Sequence, residues 1–395
     1  MAARRSPLLI HKLEGHSSEI HSALIIPREE GIITAGADKT VRVWLKRENN
    51  QYWPSICHSA SSPCTALAYF HEHRRLFVGL ANGLVVLFEL SEDLNRMERK
   101  MLTAAHQARI DDITFCPLNE WILSVSRDKT FQWHCSQTAK RLGTLRTSGW
   151  CTKVVFDSES QLAFVAEYSG QIYVLKLEAG GKLSEVNTLK AHTGSVQTMC
   201  WDNERKRLMS GGYDQTIFIW DIAGGKGQTF ELNGHFSKIN SLFYSHVSRK
   251  LISACDDKQL GIWDLSIDRD ETCIWEDKMN CQICEKPFIL NFKGMFVRKE
   301  MGRRQHHCRK CGKAICEVCS AHSTRLPTMG YEKSVRVCNE CMREISQEAD
   351  MKPLAVFFDI GVAINKIDID IQSGIMIGAS SDRVLRVWDI KGFVM

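Results

Sequence analysis

The sequence predicts a mainly β protein: seven strand-rich repeats closed into a ring, with a small metal-stapled domain inserted before the last of them. Three observations predict it. Large apolar side chains recur at Trp44, Phe88, Trp133, Leu175, Trp220, Trp263 and Trp388, in steps of 44, 45, 42, 45, 43 and then 125 residues. The pairs His16/Asp38, His106/Asp128, His192/Asp214 and His235/Asp257 all stand 22 residues apart. Four Cys-x-x-Cys pairs crowd between Cys281 and Cys341.

Each repeat reads as short strands of alternating polarity parted by turns, as in Leu208 to Asp221, where Gly211-Gly212-Tyr213-Asp214 separates two strands. A hydroxyl residue precedes each spaced Asp by four positions (Thr34, Ser124, Ser210, Ser253). A Trp follows it by six, or by five in the third repeat. Four copies at one interval exclude a catalytic triad, which is built once. A buried hydrogen-bond chain that ties strands together explains the repetition. With Gly15-His16, Gly234-His235, Trp220-Asp221, Trp263-Asp264 and Trp388-Asp389, the chain resembles the WD-repeat family. The resemblance implies a seven-bladed β-propeller of four-stranded blades, a closed architecture with only short protected edges. Repeats two, four and seven hold Ala60, Thr147 and Ile360 where the His is expected, and of the three only the seventh keeps the Asp, as Asp382. These blades are expected to be held by packing. No outermost strand can follow Trp388-Asp389, so Ser6 to Lys12 is expected to complete the last blade.

The excess of the 125-residue step over one period, about 82 residues, matches the cysteine-rich segment with its flanks. A Cys-x-x-Cys turn offers two thiolates to one ion, and tetrahedral zinc takes four, so Cys281, Cys284, Cys308, Cys311, Cys316, Cys319, Cys338 and Cys341 supply two zinc ions with no ligand left over. An Fe–S reading would use one quartet and leave the other four without a role. Spacing alone does not say which pairs share an ion. The run Arg304-Gln305-His306-His307-Cys308-Arg309-Lys310-Cys311-Gly312, with Arg336-Val337-Cys338, resembles a FYVE zinc finger, the module that binds phosphatidylinositol 3-phosphate on endosomal membranes. The resemblance implies a treble-clef fold in which Cys281, Cys284, Cys316 and Cys319 hold one zinc and Cys308, Cys311, Cys338 and Cys341 the other. It also implies a headgroup site of Arg304, His306, His307, Arg309 and Arg336. The chain departs from the family at Gln305, at the acid after Trp275, which falls early as Asp277, and in the 23 residues between Cys284 and Cys308. Just before the basic run, Phe288 to Val297 reads either as minor core or as an apolar loop entering the bilayer. Insertion through Ile289, Leu290, Phe292, Met295 and Phe296 is the favoured reading, with Phe288 in the core.

The totals agree with this division. Of 395 residues, 44% are hydrophobic and 25% charged, an ordinary globular balance. The net charge of +5 hides an asymmetry: Lys278 to Arg343 carries 14 Lys/Arg against 5 Asp/Glu, or +9, leaving −4 elsewhere. A focused cationic patch suits lipid headgroups better than nucleic acid, and no nucleic-acid partner is expected. No apolar run is long enough to span a bilayer, and none near the start reads as a secretory signal, so a cytosolic chain is expected. The eight scattered cysteines (Cys57, Cys64, Cys116, Cys135, Cys151, Cys200, Cys255, Cys273) are then expected to be small buried hydrophobes. The expected domains are the propeller over 1–270, the finger over 271–350 and the last blade over 351–395. Together the two halves look like the small WD-repeat and FYVE domain-containing proteins. That resemblance implies a non-enzymatic adaptor on early endosomes, with protein partners on the propeller. A RING-like ubiquitin ligase and a propeller whose finger does not bind lipid are the competing readings.

Overall fold

In the computed structural model, which describes residues 6–178, 180–223, 229–267, 269–270, 273, 275–299, 301–346 and 352–394, the chain divides into two compact units. The first comprises Met1–Phe218, His235–Ser266 and Phe357–Met395, and the second Ile219–Gly234 and Ile267–Val356. The expected finger limits at 271 and 350 lie outside the described residues.

The first unit is the seven-bladed propeller. Its first sheet runs Ile20–Ile26, Gly31–Gly36, Thr40–Lys46 and Tyr52–Ser59, antiparallel and in chain order. The next three repeat this plan from Cys64 to Ala104, Ile110 to Arg146 and Cys151 to Lys190. The fifth opens with Val196–Asp202, Arg207–Gly212 and Thr216–Asp221. In the sixth, Ile239–Ser245, Lys250–Cys255 and Gln259–Asp264 are followed by Ala355–Asp359, so the insertion interrupts this sheet before its fourth strand. The seventh has Lys366–Asp370, Ile375–Ala379 and Leu385–Asp389, closed by Leu8–Leu13 from the start of the chain. The segment 351–395 therefore divides between two sheets.

Packing explains the burial of each strand. A propeller blade is covered on both faces by its neighbours, so the second strands Gly31–Gly36 and Trp121–Ser126 are buried along their whole length. Ile33, Val43 and Ile56 of one sheet meet Leu67, Val78 and Phe88 of the next. Outer strands such as Met97–Ala104 are largely exposed. Of the scattered cysteines, Cys64, Cys116, Cys151 and Cys255 are buried, Cys135, Cys200 and Cys273 half-buried, and Cys57 is exposed on an outer strand, contrary to expectation.

The spaced His and Asp residues form the hydrogen-bond chain expected of them. In the sixth sheet Trp263 Nε1 donates to Ser253 Oγ (2.8 Å), which meets His235 Nε2 (2.7 Å), while His235 Nδ1 donates to Asp257 Oδ2 (3.1 Å). Phe357, on the strand that returns after the insertion, packs edge-on against both rings. Trp44, Thr34, His16 and Asp38 repeat the chain in the first sheet. The third sheet differs. Pairing places His134 opposite Ile122, as Trp44 lies opposite Ile32 and Trp263 opposite Leu251. His134 thus takes the indole's place, and Trp133, one residue early, points to the other face. Its Nε1 finds no acceptor among the described residues.

Repeat four, expected to be held by packing, also contains a buried polar group. Glu167, fully buried, accepts from the amide of Gly149 and from the hydroxyls of Ser148 (2.7 Å) and Ser169 (2.6 Å), making a polar knot of its own. The turn after the second strand shows why two repeats can lose their Asp. A left-handed residue follows there in every repeat: Lys39, Gly83, Lys129, Gly170, Gln215, Lys258 and Arg383. Where Asp is present, its Oδ1 braces the turn, as Asp38 does from Thr40 N (3.1 Å). Repeat two keeps the brace through Asn82, whose Oδ1 accepts from Leu84 N (3.4 Å), and repeats two and four both place glycine at the left-handed position, where a Cβ on Gly83 would lie 2.1 Å from the His106 carbonyl oxygen.

Candidate metal centre and membrane-facing site

In the second unit, short elements replace a large core. The hairpin Gln305–His307/Ala314–Cys316 carries the second and third cysteine pairs. A second hairpin, His322–Leu326/Tyr331–Val337, leads into the helix Asn339–Ile345 that carries the fourth. Strand Thr229–Asn233 joins this unit through the Asn233–Tyr331 bridge and the Tyr331 hydroxyl, which donates to Glu231 Oε2 (3.0 Å). Phe288, Ile315, Tyr331, Val337 and Ile345 are buried among the cysteines, Phe288 as expected.

The eight paired cysteines converge as two quartets, Cys281/Cys284/Cys316/Cys319 and Cys308/Cys311/Cys338/Cys341, each with its sulfurs within 4.8 Å of one another. Sγ–Sγ separations of 3.7 Å (Cys284–Cys316) and 4.0 Å (Cys311–Cys338) bracket the ~3.8 Å edge of a tetrahedron with Zn–S bonds of about 2.3 Å. Both quartets therefore suit tetrahedral zinc. Amides point at the sulfurs, Cys316 N at Cys281 Sγ (3.4 Å) and Cys338 N at Cys308 Sγ (3.3 Å), and favour thiolate. Burial raises the Cys316 thiol, but the Cys319 amide and the Arg303 guanidinium bring it down to about 6.

The five residues of the expected headgroup site lie on and around the strand Gln305–His307. They divide across the strand Gln305–His307, whose side chains alternate in direction. On one side His307 stacks on Trp275 (centroids 5.1 Å apart, planes 10° apart), and the Arg309 guanidinium carbon lies 4.2 Å from the centroid of the Trp275 ring. His307 Nε2 donates to Glu276 O (3.1 Å), and Gln305 reaches toward Asp277 (3.5 Å). On the other side stands His306, whose pKa is lowered by burial and then by the cations Arg336 and Arg304. Arg336 is fixed by Ser320, through its carbonyl (2.9 Å) and its hydroxyl (3.1 Å). Trp275, which the sequence presents only as a displaced motif, is what holds His307 and Arg309 in register.

The apolar stretch is a short helix, Phe292–Arg298, and not a loop. Asn291 caps it by accepting from Gly294 N (2.9 Å). Leu290 (73% exposed), Phe296 (87%), Val297 (79%) and Met301 (92%) stand out in solvent, with Ile289 beside them half-exposed. Met295 instead turns inward, its sulfur accepting from Gly302 N (3.0 Å). The side chain of Phe292 lies outside the described residues. Val297 and Met301 join this surface although neither was expected in it. Among the described residues, no helix is long and apolar enough to cross a membrane.

Comparison with known proteins places both units. The FYVE zinc finger family model matches residues 274–347. The WD domain, G-beta repeat model matches 8–44, 98–133, 183–221 and 226–264, the stretches that end in repeats one, three, five and six. "WD repeat and FYVE domain-containing protein 1" of Homo sapiens is 48% identical over 388 residues, 98% of this chain and 94% of that protein. "WD repeat and FYVE domain-containing protein 2" of Homo sapiens is 47% identical over 99% of this chain and 97% of its own length, and its Caenorhabditis elegans namesake 36% over 98% and 93%. The crystal structure of the WD40 beta propeller domain of Doa1 aligns with a TM-score of 0.63 at 14% identity, over 97% of this chain and 96% of that one, which shows the fold alone.

Proposed function

Because the chain belongs to the family of WD repeat and FYVE domain-containing proteins, we propose that it is a non-enzymatic adaptor, brought to early endosomal membranes by a finger that binds phosphatidylinositol 3-phosphate. The propeller docks protein partners. One observation carries the lipid reading: cationic side chains anchored to zinc-ligand backbone share a compact unit with an exposed apolar helix tip. Arg309 bonds through its amide to Arg336 O (3.0 Å), so the two basic segments are tied together even though their side chains divide across the strand. Phosphate oxygens take charge-assisted hydrogen bonds from guanidinium groups, each worth about 1.5–3 kcal/mol. Trp275 packs against the Arg309 guanidinium, which also donates to His307 O (3.3 Å), and this fixing lowers the entropy lost on binding. Apolar side chains at the tip add about 1.5–3 kcal/mol each when buried in the acyl boundary. The repeated His, Ser and Asp groups are occupied in structural hydrogen bonds, which supports a binding role over a catalytic one.

Liposome flotation with single phosphoinositides tests the proposal. Wild type is expected to float with phosphatidylinositol 3-phosphate vesicles, and Arg309→Ala to bind about 10-fold or more weakly. Equal flotation of the two proteins, or equal binding to every phosphoinositide, removes the headgroup site.

A further inference from the structure

The innermost strand of six sheets carries a bulge after its first residue, at Ile20/Ser22, Cys64/Ala66, Ile110/Asp112, Cys151/Lys153, Val196/Thr198 and Ile239/Ser241. The residues left unpaired are His21, Thr65, Asp111, Thr152, Gln197 and Asn240, and all six line one mouth of the propeller channel, a recess of about 490 Å³. Bulges re-aim side chains. The seventh strand has none, and its straight start presents Lys366 to the same recess.

The lining carries five cations against three carboxylates. Arg109 and Arg127 share the single Asp111, each at 2.9 Å, and Lys153 takes Asp112 at 2.7 Å. Lys366 has no ion pair among the described residues. Beside it, the Lys153 ammonium, followed by burial, holds the Lys366 pKa down to about 8 against the opposing pull of Asp112 and Asp368. His21 is drawn down to about 4 by burial and then by Arg109 and Arg127. Above these charges lies an aromatic rim. Trp150 and Tyr168 meet at 5.3 Å, Arg127 stacks 5.6 Å from Trp150, and Lys238 lies 5.3 Å from Tyr213. All three rings stay substantially exposed.

We propose that this mouth is the docking site for an acidic, extended segment of a partner protein, with a carboxylate seated between Lys366 and Lys153 and a neighbouring apolar side chain on the Trp150–Tyr168 rim. Charge complementarity selects the acid, and the aromatic faces select a residue beside it. A recess of this size admits a chain segment and excludes a flat membrane or a folded domain. The inference rests on the docking role proposed for the propeller and gives it a place and a chemistry.

The test pans the full chain against a phage library of random peptides, alongside Lys366→Met and Lys366→Arg, with unchanged melting as the check on folding. The wild-type pool is expected to be rich in Asp or Glu next to an aromatic residue. That pool should bind Lys366→Met about 10-fold or more weakly and Lys366→Arg nearly as well as wild type. A neutral or basic pool, or no enrichment, overturns the proposal. So does an acidic pool that ignores Lys366→Met, although peptides that bind elsewhere leave the propeller's docking role standing. Binding of a fluorescein-labelled oligothymidylate that is lost in Lys366→Met, without acidic peptide binding, would assign the mouth to nucleic acid instead.

Discussion

Removing the Ser253 hydroxyl should cost far more than removing that of Ser124, although both are fully buried at equivalent positions. Ser253 Oγ receives the Trp263 indole N–H and meets His235 Nε2. Ser253→Ala would strand one donor and one acceptor inside a dry blade, about 1–3 kcal/mol each, so about 2–6 kcal/mol in all. Among the described residues Ser124 Oγ meets only His106 Nε2 (2.9 Å), because Trp133 points away and its N–H finds no acceptor there. Ser124→Ala therefore orphans one group, at about 1–3 kcal/mol. The assay is guanidinium unfolding of both variants by far-UV circular dichroism, comparing midpoints at matched slopes. Trp133→Phe and Trp263→Phe supply the control: both lose buried ring volume, but the Trp133 N–H finds no acceptor among the described residues, so Trp263→Phe should cost more by about the hydrogen bond it gives up. Equal losses for the two serine variants, or a Ser253→Ala loss under about 0.5 kcal/mol, would refute the reasoning.

His134, 4% exposed, has its pKa pushed down to about 4 by burial and by the nearby His106 and Arg141. Below about pH 6.5 the unfolded chain gains a proton that the folded one refuses, so stability should fall as pH drops from 6.5 toward 4, by at most ~3 kcal/mol. His134→Gln should flatten that limb of the melting-temperature profile, and an unchanged slope would count against it. Metal analysis should find two zinc ions per chain, and Cys308→Ser one or none with the finger unfolded. A single ion in wild type would exclude the double site. Phe296→Ser combined with Val297→Ser should lower flotation at least 10-fold while leaving affinity for a soluble inositol bisphosphate headgroup unchanged. A parallel loss of headgroup affinity would assign those side chains to folding instead.

Repetition made most of this fold legible. The 22-residue interval and the recurring aromatic anchors record one hydrogen-bond chain copied several times, and Cys-x-x-Cys spacing records zinc chemistry directly. What stayed hidden depends on which segments meet in space. Sequence repeat and sheet are offset by one strand, so Ala355–Asp359 reads as part of the last repeat yet pairs in the sixth sheet. Trp133 looked like a tetrad member displaced by one residue, but strand alternation sends a one-residue shift to the opposite face and leaves His134 in the vacancy. The helix Phe292–Arg298 is too short for its periodicity to show, and its Asn291 cap looks like a loop residue. The two-sided arrangement of Arg304, His306 and Arg336 against His307 and Arg309 follows from a three-residue strand that no pattern announces.

The pairing of Leu8–Leu13 with Leu385–Asp389 has a kinetic consequence. A strand translated so far ahead of its partner must wait, apolar and unmatched, while some 370 residues emerge, a delay of tens of seconds at ordinary ribosome speeds. Six sheets and a metal-loaded insertion can assemble in that interval, but the ring stays open as a strip with two raw edges. Latching of the termini is then the slow, high-contact-order step of folding. An exchange of the waiting strand between two nascent chains would be the characteristic way for assembly to go wrong.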